Sequence, residues 1–190
     1  MKNKKTLITL GVIAAVVIIL IFSVIGSYNG LVEKQTAVDS QFAQVQNVLQ
    51  RRSDLIPNLV NTVKGYATHE KEVYTAISEA RAALAGAKTV EETGAANAAL
   101  DSALSRLLVV VENYPELKAN QNFIALQDEL AGSENRIAQE RKNYNEAVKD
   151  YNAGIRKFPK SIIAGIFGFE KADFFEADSG AQNAPEVSFD

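Results

Sequence analysis

The feature that most constrains this chain is an uncharged apolar run of 19 residues from Leu7 to Ile25. At about 1.5 Å per residue, a helix of this length covers the roughly 30 Å hydrocarbon core of a bilayer. The run is longer than the roughly 7–15 apolar residues of a cleaved signal sequence, and no Ala-x-Ala site follows it. The sequence therefore predicts a retained transmembrane helix over residues 7–27, with the lipid bilayer as its partner.

The charges that flank this run predict its orientation. Lys2, Lys4 and Lys5 precede it, whereas Lys34 is the only basic residue in the following 15 residues. Basic segments are retained in the cytoplasm. We therefore expect residues 1–6 to form a basic cytoplasmic tail, and the rest of this single-pass protein to lie outside the cytoplasm.

The composition supplies little catalytic chemistry. The chain has no cysteine and one histidine, and its net charge of −3 argues against nucleic acid as a partner. His69-Glu70 lacks the second histidine four residues on that a zinc-binding helix requires, because Val73 stands there. No Gly-x-Ser-x-Gly elbow occurs. We therefore predict no catalytic residue, no cofactor and no metal site.

From Tyr28 onward, apolar residues recur with the spacing of helices that pack in a bundle. The pattern predicts an all-α fold, with an antiparallel bundle of about four helices over residues 28–158 and left-handed, coiled-coil-like packing. The predicted helices are a first with Leu31, Val38, Phe42, Val45 and Leu49, a second with Leu59 to Leu84, a third from about Val90 to Asn113, and a fourth from about Asn120 to Lys157.

A tight turn is predicted between the first two bundle helices. Pro57 suits a first helical turn, and Ser53 or Asp54 can cap it. Arg51 and Arg52 then cap the carbonyl end of the first helix, an interpretation we prefer to a phosphate clamp. The alternative is one helix kinked at Pro57, which would be roughly 85–90 Å long with no other segment long enough to cover it.

Charged side chains interrupt the apolar stripes at four positions. Glu70 and Arg81 lie on the second predicted helix, and Glu134 and Arg141 lie on the fourth. If neighbouring antiparallel helices bring them together, they form opposite-charge pairs that fix the register of the bundle. The alternative is that each charge is solvated at the edge of its stripe.

The C-terminal region has an apolar part and an acidic part. Residues 159–175 are predicted to form a short amphipathic segment that docks on the bundle, or that lies on a membrane or a partner. Residues 176–190 contain four acids and no base, which predicts a disordered acidic tail. The predicted interaction surface consists of Ile162, Ile163, Ile166, Phe167, Phe169, Phe174 and Phe175.

Several motifs along the chain resemble those of the LemA family of bacterial membrane proteins. They occur in the family's order, and they are Tyr28-Asn29-Gly30-Leu31-Val32, Arg51 to Val60, Lys64-Gly65-Tyr66-Ala67-x-His69-Glu70, Tyr114 to Asn120, Glu134 to Ala138, Tyr144-Asn145 and Phe158-Pro159. The resemblance implies a single-pass anchor that carries an antiparallel helical bundle in the bacterial cell envelope. It implies no enzymatic activity, because no catalytic residues are assigned to the family.

Together these features predict a non-enzymatic, membrane-anchored scaffold or interaction protein. We expect it to self-assemble as a homo-oligomer and to bind other envelope proteins, because long bundles bury a second apolar edge by packing sideways. Two alternatives stay open: a regulator or adaptor of a membrane enzyme or signalling protein, acting through contact between spans, and a membrane-remodelling protein.

Overall fold

A computed structural model describes residues 2–176. Within this range the chain forms six α-helices and no strand, so the predicted all-α fold class is confirmed. The described residues divide into two compact units, the first of residues 2–40 and 146–172 and the second of residues 41–145 and 173–176. The helices are α1 (Lys2–Lys64), α2 (Lys71–Gly86), α3 (Val90–Glu112), α4 (Pro115–Lys118), α5 (Gln121–Arg156) and α6 (Lys160–Phe167).

The turn predicted at residues 51–57 is wrong, because α1 continues through Pro57 as a single helix. Proline lacks the N–H that would bond to the carbonyl of Ser53, so its presence weakens the helix at this point. The apolar stripe nevertheless crosses the proline without a change of register, because Leu49, Ile56 and Leu59 are all buried. Burial of this stripe keeps the backbone helical on both sides of Pro57.

The helix ends instead after Lys64, inside the segment that was predicted to be the second bundle helix. The backbone N–H groups of Tyr66 and Ala67 both bond to the carbonyl of Val63, which closes the last turn of α1. The hydroxyl of Tyr74 on α2 donates to the carbonyl of Ala67 over 2.5 Å. Burial, with the nearby charge of Glu70, raises the pKa of the Tyr74 phenol, so the hydroxyl keeps the proton that it donates.

The later helices follow the predicted boundaries closely. Both α3 and α5 begin and end within one residue of the positions expected from the sequence. Thr89 and Glu92 form a capping box at the start of α3, in which each side chain accepts a bond from the other residue's backbone N–H. Bonds from the backbone of Lys88 and Thr89 hold the pKa of Glu92 below its usual range.

One hydrophobic core fills the second unit. It is built from the end of α1, from α2, α3 and α4, and from the start of α5. Its fully buried members include Ile56, Val63, Leu100, Leu107 and Leu117. This arrangement is the helical bundle that the sequence predicted.

The first unit buries a smaller set of apolar side chains. Leu31 and Val38 of α1, Tyr151 and Ile155 of α5, and Ile163 of α6 are buried. At Gly154, a β-carbon would lie only 3.1 Å from Cδ of Lys34, so glycine permits the close approach of α5 to α1 here. Burial also raises the pKa of the Tyr151 phenol, as do the charges of Asp39 and Glu170.

Two helices among the described residues are long and apolar enough to cross a membrane. One is α1, where the window near the N-terminus has a mean hydropathy of 3.1 and no buried residue. The other is α3, with a mean hydropathy of 1.3. Since α3 places Leu100, Leu104 and Leu107 in the core of the second unit, we interpret it as a bundle helix.

The C-terminal region forms a short helix followed by an extended strip of chain. Helix α6 ends at Gly168, whose φ of 73° is in the left-handed region that favours glycine. Residues 169–176 then continue without helix or strand. The predicted acidic tail, apart from Glu176, lies outside the described residues, and the predicted domain boundaries stay predictions.

Replacing Pro57 by alanine tests the continuity of α1. Pro57→Ala restores one backbone hydrogen bond and is expected to raise the free energy of unfolding by up to about 3 kcal/mol. Pro115→Ala is the matched control. Pro115 opens α4, where its missing N–H would have no partner within the helix, so we expect little change. Chemical denaturation in detergent, followed by circular dichroism, measures both. A loss of stability in Pro57→Ala would indicate that the chain turns at this proline.

Candidate functional site

The best-defined polar arrangement in the second unit is built around the buried guanidinium of Arg52 on α1. Its Nη2 pairs with a carboxylate oxygen of Asp101 on α3, and its Nη1 lies 2.9 Å from Glu134 on α5. Nη1 also donates to Asn97 over 3.2 Å, and Asn97 in turn donates to Asp101 over 2.9 Å. One side chain thus joins three helices, which is the kind of contact that fixes helix register.

The residues that were predicted to form a turn have different roles in the structure. Arg51 is exposed and lies 3.3 Å from Glu129 on α5, whereas Asp54 accepts a bond from Gln50 within α1 over 2.8 Å. Pro57 lies inside the helix. The prediction that Arg51 and Arg52 cap a helix end is wrong, because α1 does not end at this point.

The four charges that were predicted to form one polar cluster are not brought together. Glu134 pairs with Arg52, and Arg81 donates from Nε to the hydroxyl of Ser53 over 3.2 Å. Glu70 is the residue before α2, without a side-chain capping bond. Arg141 donates to the backbone carbonyl of Glu176 over 2.8 Å and lies over the ring of Phe175. The four side chains therefore do not form one cluster, and each lies in a different environment.

An apolar cleft lies beside the Arg52 network in the second unit, between α1, α3 and α5. It has a volume of about 370 Å³. Leu108 at its edge is 40% exposed, and Val109 next to it on α3 is 67% exposed. The carboxylates at the cleft already pair with Arg52, so the cleft suits an apolar ligand better than an ion. Its apolar walls include Leu59, Leu104, Leu108, Leu130 and Ala131.

Two asparagines of α5 hold the extended C-terminal strip by its backbone. In the first unit, Asn152 accepts a bond from the N–H of Ala172 over 3.0 Å and donates to the carbonyl of the same residue over 2.9 Å. In the second unit, Asn145 makes the same pair of bonds with Phe175, each of 2.9 Å. The two asparagines are seven residues apart on one helix, which puts them on the same face.

An aromatic contact supplements these bonds in the second unit. The ring of Phe175 is buried, and it lies 5.1 Å from the ring of Tyr144 and 6.2 Å from the ring of Phe42. The hydroxyl of Tyr144 donates to the carbonyl of Asp173 over 2.9 Å. The end of the described chain is therefore a docked segment, with one aromatic anchor and backbone bonds on both sides of it.

The residues predicted as an interaction surface divide into two groups. Ile163 and Phe175 are buried and Phe169 is half-buried, so part of the segment docks on its own chain. Ile162, Ile166, Phe167 and Phe174 are each 46–70% exposed. Docking on the bundle and an exposed apolar surface, which were weighed as alternatives, are thus both present in this segment.

The lone histidine lies in the break between α1 and α2. His69 is exposed, and its backbone carbonyl accepts a bond from the N–H of Lys71. Among residues 2–176, no three His, Asp or Glu side chains are grouped so that they could hold a metal ion. The polar groups that the structure does bring together make contacts between helices and with the C-terminal strip.

Comparison with known proteins identifies the family. The model of the LemA family matches residues 41–189. The chain belongs to the LemA family. It is 27% identical to magnetosome protein MamQ 1 of Paramagnetospirillum magneticum, over 87% of this chain and 73% of that protein. It is 26% identical to magnetosome protein MamQ of Magnetospirillum gryphiswaldense, over 78% and 64%, and 24% identical to protein LemA of Metamycoplasma hominis, over 82% and 72%.

Sequence reasoning missed the residues that form the actual polar contacts. Arg52 lies three residues after Leu49 and four before Ile56, which is a core position of the stripe. Asn97 occupies an equivalent position three residues before Leu100. A charged or amide side chain at a core position was the available signal, and the assumed turn concealed it for Arg52. The paired spacing of Asn145 and Asn152 carried no signal until the path of the C-terminal strip was known.

Adjacent arginines allow a matched test of the buried network. Arg52→Met keeps most of the side-chain volume but leaves Asp101 and Glu134 without their cation, so we expect a loss of about 2–3 kcal/mol in the free energy of unfolding. Arg51→Met removes an exposed ion pair and is expected to cost less than about 1 kcal/mol. Urea denaturation of the full chain in detergent measures both. Equal effects would contradict a special role for Arg52.

Hydrogen exchange tests whether the hydrogen bonds from α5 hold the C-terminal strip in place. Asn145→Ala removes both bonds to Phe175, so the Phe175 amide is expected to exchange on the order of tenfold faster. Asn143→Ala is the control, because the bonds of Asn143 to Gln139 and Glu140 lie within its own helix. Mass spectrometry of a peptide covering residues 172–176 measures the exchange. Unchanged exchange in Asn145→Ala would contradict the docked arrangement.

Proposed function

We propose that this LemA-family protein is a non-enzymatic, membrane-anchored scaffold of the bacterial cell envelope, whose bundle binds other polypeptides and further copies of itself. The observation that carries the proposal is the continuity of α1. One helix contains both the candidate membrane span and part of the bundle core. Within α1, no non-helical residue separates the candidate span from the residues of the core.

The two parts of α1 have the surfaces that two different surroundings require. From Leu7 to Ile25 its large apolar side chains are exposed, as expected for a helix that lipid surrounds. Further along, Leu31, Val45 and Ile56 of the same helix are fully buried by protein. These features support a single-pass anchor, and the excess of lysine before the span favours a cytoplasmic N-terminus.

The apolar cleft supports the binding of a helix from another polypeptide. Amphipathic helices bind by placing an apolar ridge in a hydrophobic groove. Helix α3 carries one wall of the cleft, through Leu104 and Leu108, and next to it the exposed Val109. Two copies related by a twofold axis would each place the exposed Leu108 and Val109 in the cleft of the other, since such an interface uses the same patch twice. A second copy is therefore the occupant that we propose.

The relatives are consistent with an interaction role. Two are named as magnetosome proteins and one is named for the family, and none of these names describes a reaction.

A single substitution at the edge of the cleft tests self-assembly. Leu108→Glu puts a charge where the partner helix would be buried, so we expect the full chain to change from an oligomer to a monomer with little change in thermal stability. Ser78→Glu, on the exposed face of α2, is the matched control and should leave assembly intact. Light scattering in mild detergent and single-molecule photobleaching in vesicles measure the state. A wild-type protein that stays monomeric at micromolar concentration would contradict the proposal.

The same measurement separates this function from the regulator alternative. Replacing Leu7 to Ile25 by an unrelated apolar span is expected to preserve assembly if the cleft carries it. Loss of assembly in this chimaera, with assembly retained in Leu108→Glu, would instead favour a regulator or adaptor that acts through contact between spans.

A further inference from the structure

Helix α6 has two apolar sides, and one of them is not covered by its own chain. On the covered side, Ile163 and Ala164 are buried within the first unit. Ile162 and Ile166 are four residues apart on α6, which places them on one face, and they are 53% and 70% exposed. Phe158, in the turn before α6, is 81% exposed. Phe167 is also more than half exposed. A soluble helix of this size rarely exposes so continuous an apolar face.

This face lies close to the point where the candidate span ends. Tyr28 follows the last residue of the apolar run, Ile25, by three residues, or about 4.5 Å of helix. The ring of Tyr28 lies 4.9 Å from the ring of Phe167 and 5.6 Å from that of Phe169. Tyrosine is itself enriched at the interface between membrane and water. The exposed face of α6 is thus held next to the boundary of the bilayer.

The contacts also indicate the direction of α6. Near its start, the ammonium group of Lys160 would lie 3.1 Å from a β-carbon at Gly30, and near its end Phe167 touches Tyr28. These contacts are seven residues apart on α6, about 10 Å of helix, but two residues apart on α1, about 3 Å. Helix α6 therefore runs across α1. If α1 crosses the bilayer, α6 lies along the membrane surface.

The charges around α6 suit an anionic lipid surface. Residues 156–171 contain four basic residues, Arg156, Lys157, Lys160 and Lys171, and one acid, Glu170, so the net charge is +3 in a chain whose total is −3. Basic residues beside an apolar face are typical of helices that lie in the interface of anionic membranes. Since Arg156 and Lys157 are exposed, they can reach phosphate groups.

We propose that α6 is an interfacial helix, which rests on the proposed anchor in α1. Phe158, Ile162 and Ile166 enter the boundary between headgroups and acyl chains in the leaflet where the span ends. Arg156 and Lys157 bind the phosphates of anionic phospholipids. Lipid thus covers the face that the chain itself leaves open, and the protein contacts the bilayer at two places instead of one.

The absence of cysteine from the whole sequence permits a direct test in the full chain. Single cysteines at Ile166 and Ile162 carry nitroxide labels in vesicles of phosphatidylcholine and phosphatidylglycerol, and accessibility to oxygen and to a nickel complex is measured. Phe22→Cys is the control for lipid, because it lies in the span. Ser78→Cys is the control for water, because Ser78 is exposed on α2 and lies outside the proposed interface between copies.

We expect the labels at positions 162 and 166 to resemble the label at position 22. Oxygen access should be high, and nickel access should be on the order of tenfold lower than at position 78. Nickel access equal to that at position 78 would overturn the proposal, because the face would then be in water. Exclusion of both reagents would overturn it as well, because protein would then cover the face.

Two further comparisons distinguish a failure of the proposed anchor from a failure of the proposed interfacial helix. A label at position 22 that is accessible to nickel would refute the anchor itself, and with it the proposed function. A label at position 22 in lipid together with a label at position 166 in water would refute only the interfacial helix. Arg156→Gln with Lys157→Gln is expected to raise nickel access at position 166 several-fold. An unchanged value would refute the role of the headgroups.

Discussion

The structure depends on one helix that must satisfy two surroundings. In lipid, the backbone of α1 has to make all of its hydrogen bonds internally, since no water is available there. The same helix then supplies Val45, Ile56 and Val63 to the protein interior, where packing of the apolar stripe sustains it. Burial on both sides of Pro57 offsets the hydrogen bond that proline removes.

A second constraint is the placement of a charge in the core of the bundle. Removing the guanidinium of Arg52 from water has a cost, which the carboxylates of Asp101 and Glu134 offset. Both carboxylates keep part of their contact with solvent, so their own desolvation is small. The network contributes more to register than to net stability. A shift of α3 or α5 by one residue would leave a buried cation without its partners.

Apolar periodicity was sufficient to predict the helices α3 and α5, because each has a clear stripe between strong boundary signals. It was not sufficient at Pro57. The proline is a local indication of a turn, whereas the apolar stripe of Leu49, Ile56 and Leu59 continues in register past it. The actual break at Gly65–Glu70 depends on contacts such as the bond from Tyr74 to Ala67, which no local pattern reveals. The partners of Arg81 and Glu134, which are Ser53 and Arg52, likewise depend on which helices are neighbours, and the sequence does not specify that.

The C-terminal segment docks on its own chain through some residues and leaves other apolar residues exposed. Its backbone is held by Asn145 and Asn152, and Ile163 and Phe175 are its buried apolar side chains, so its docking does not use Ile162 or Ile166 of α6. Those residues are therefore available for another contact. Lys160 and Phe167 lie beside α1 near the end of the apolar run, so a bilayer around that run would be the apolar medium nearest to them. An anchor with a second contact of this kind would resist tilting, which a single span does not.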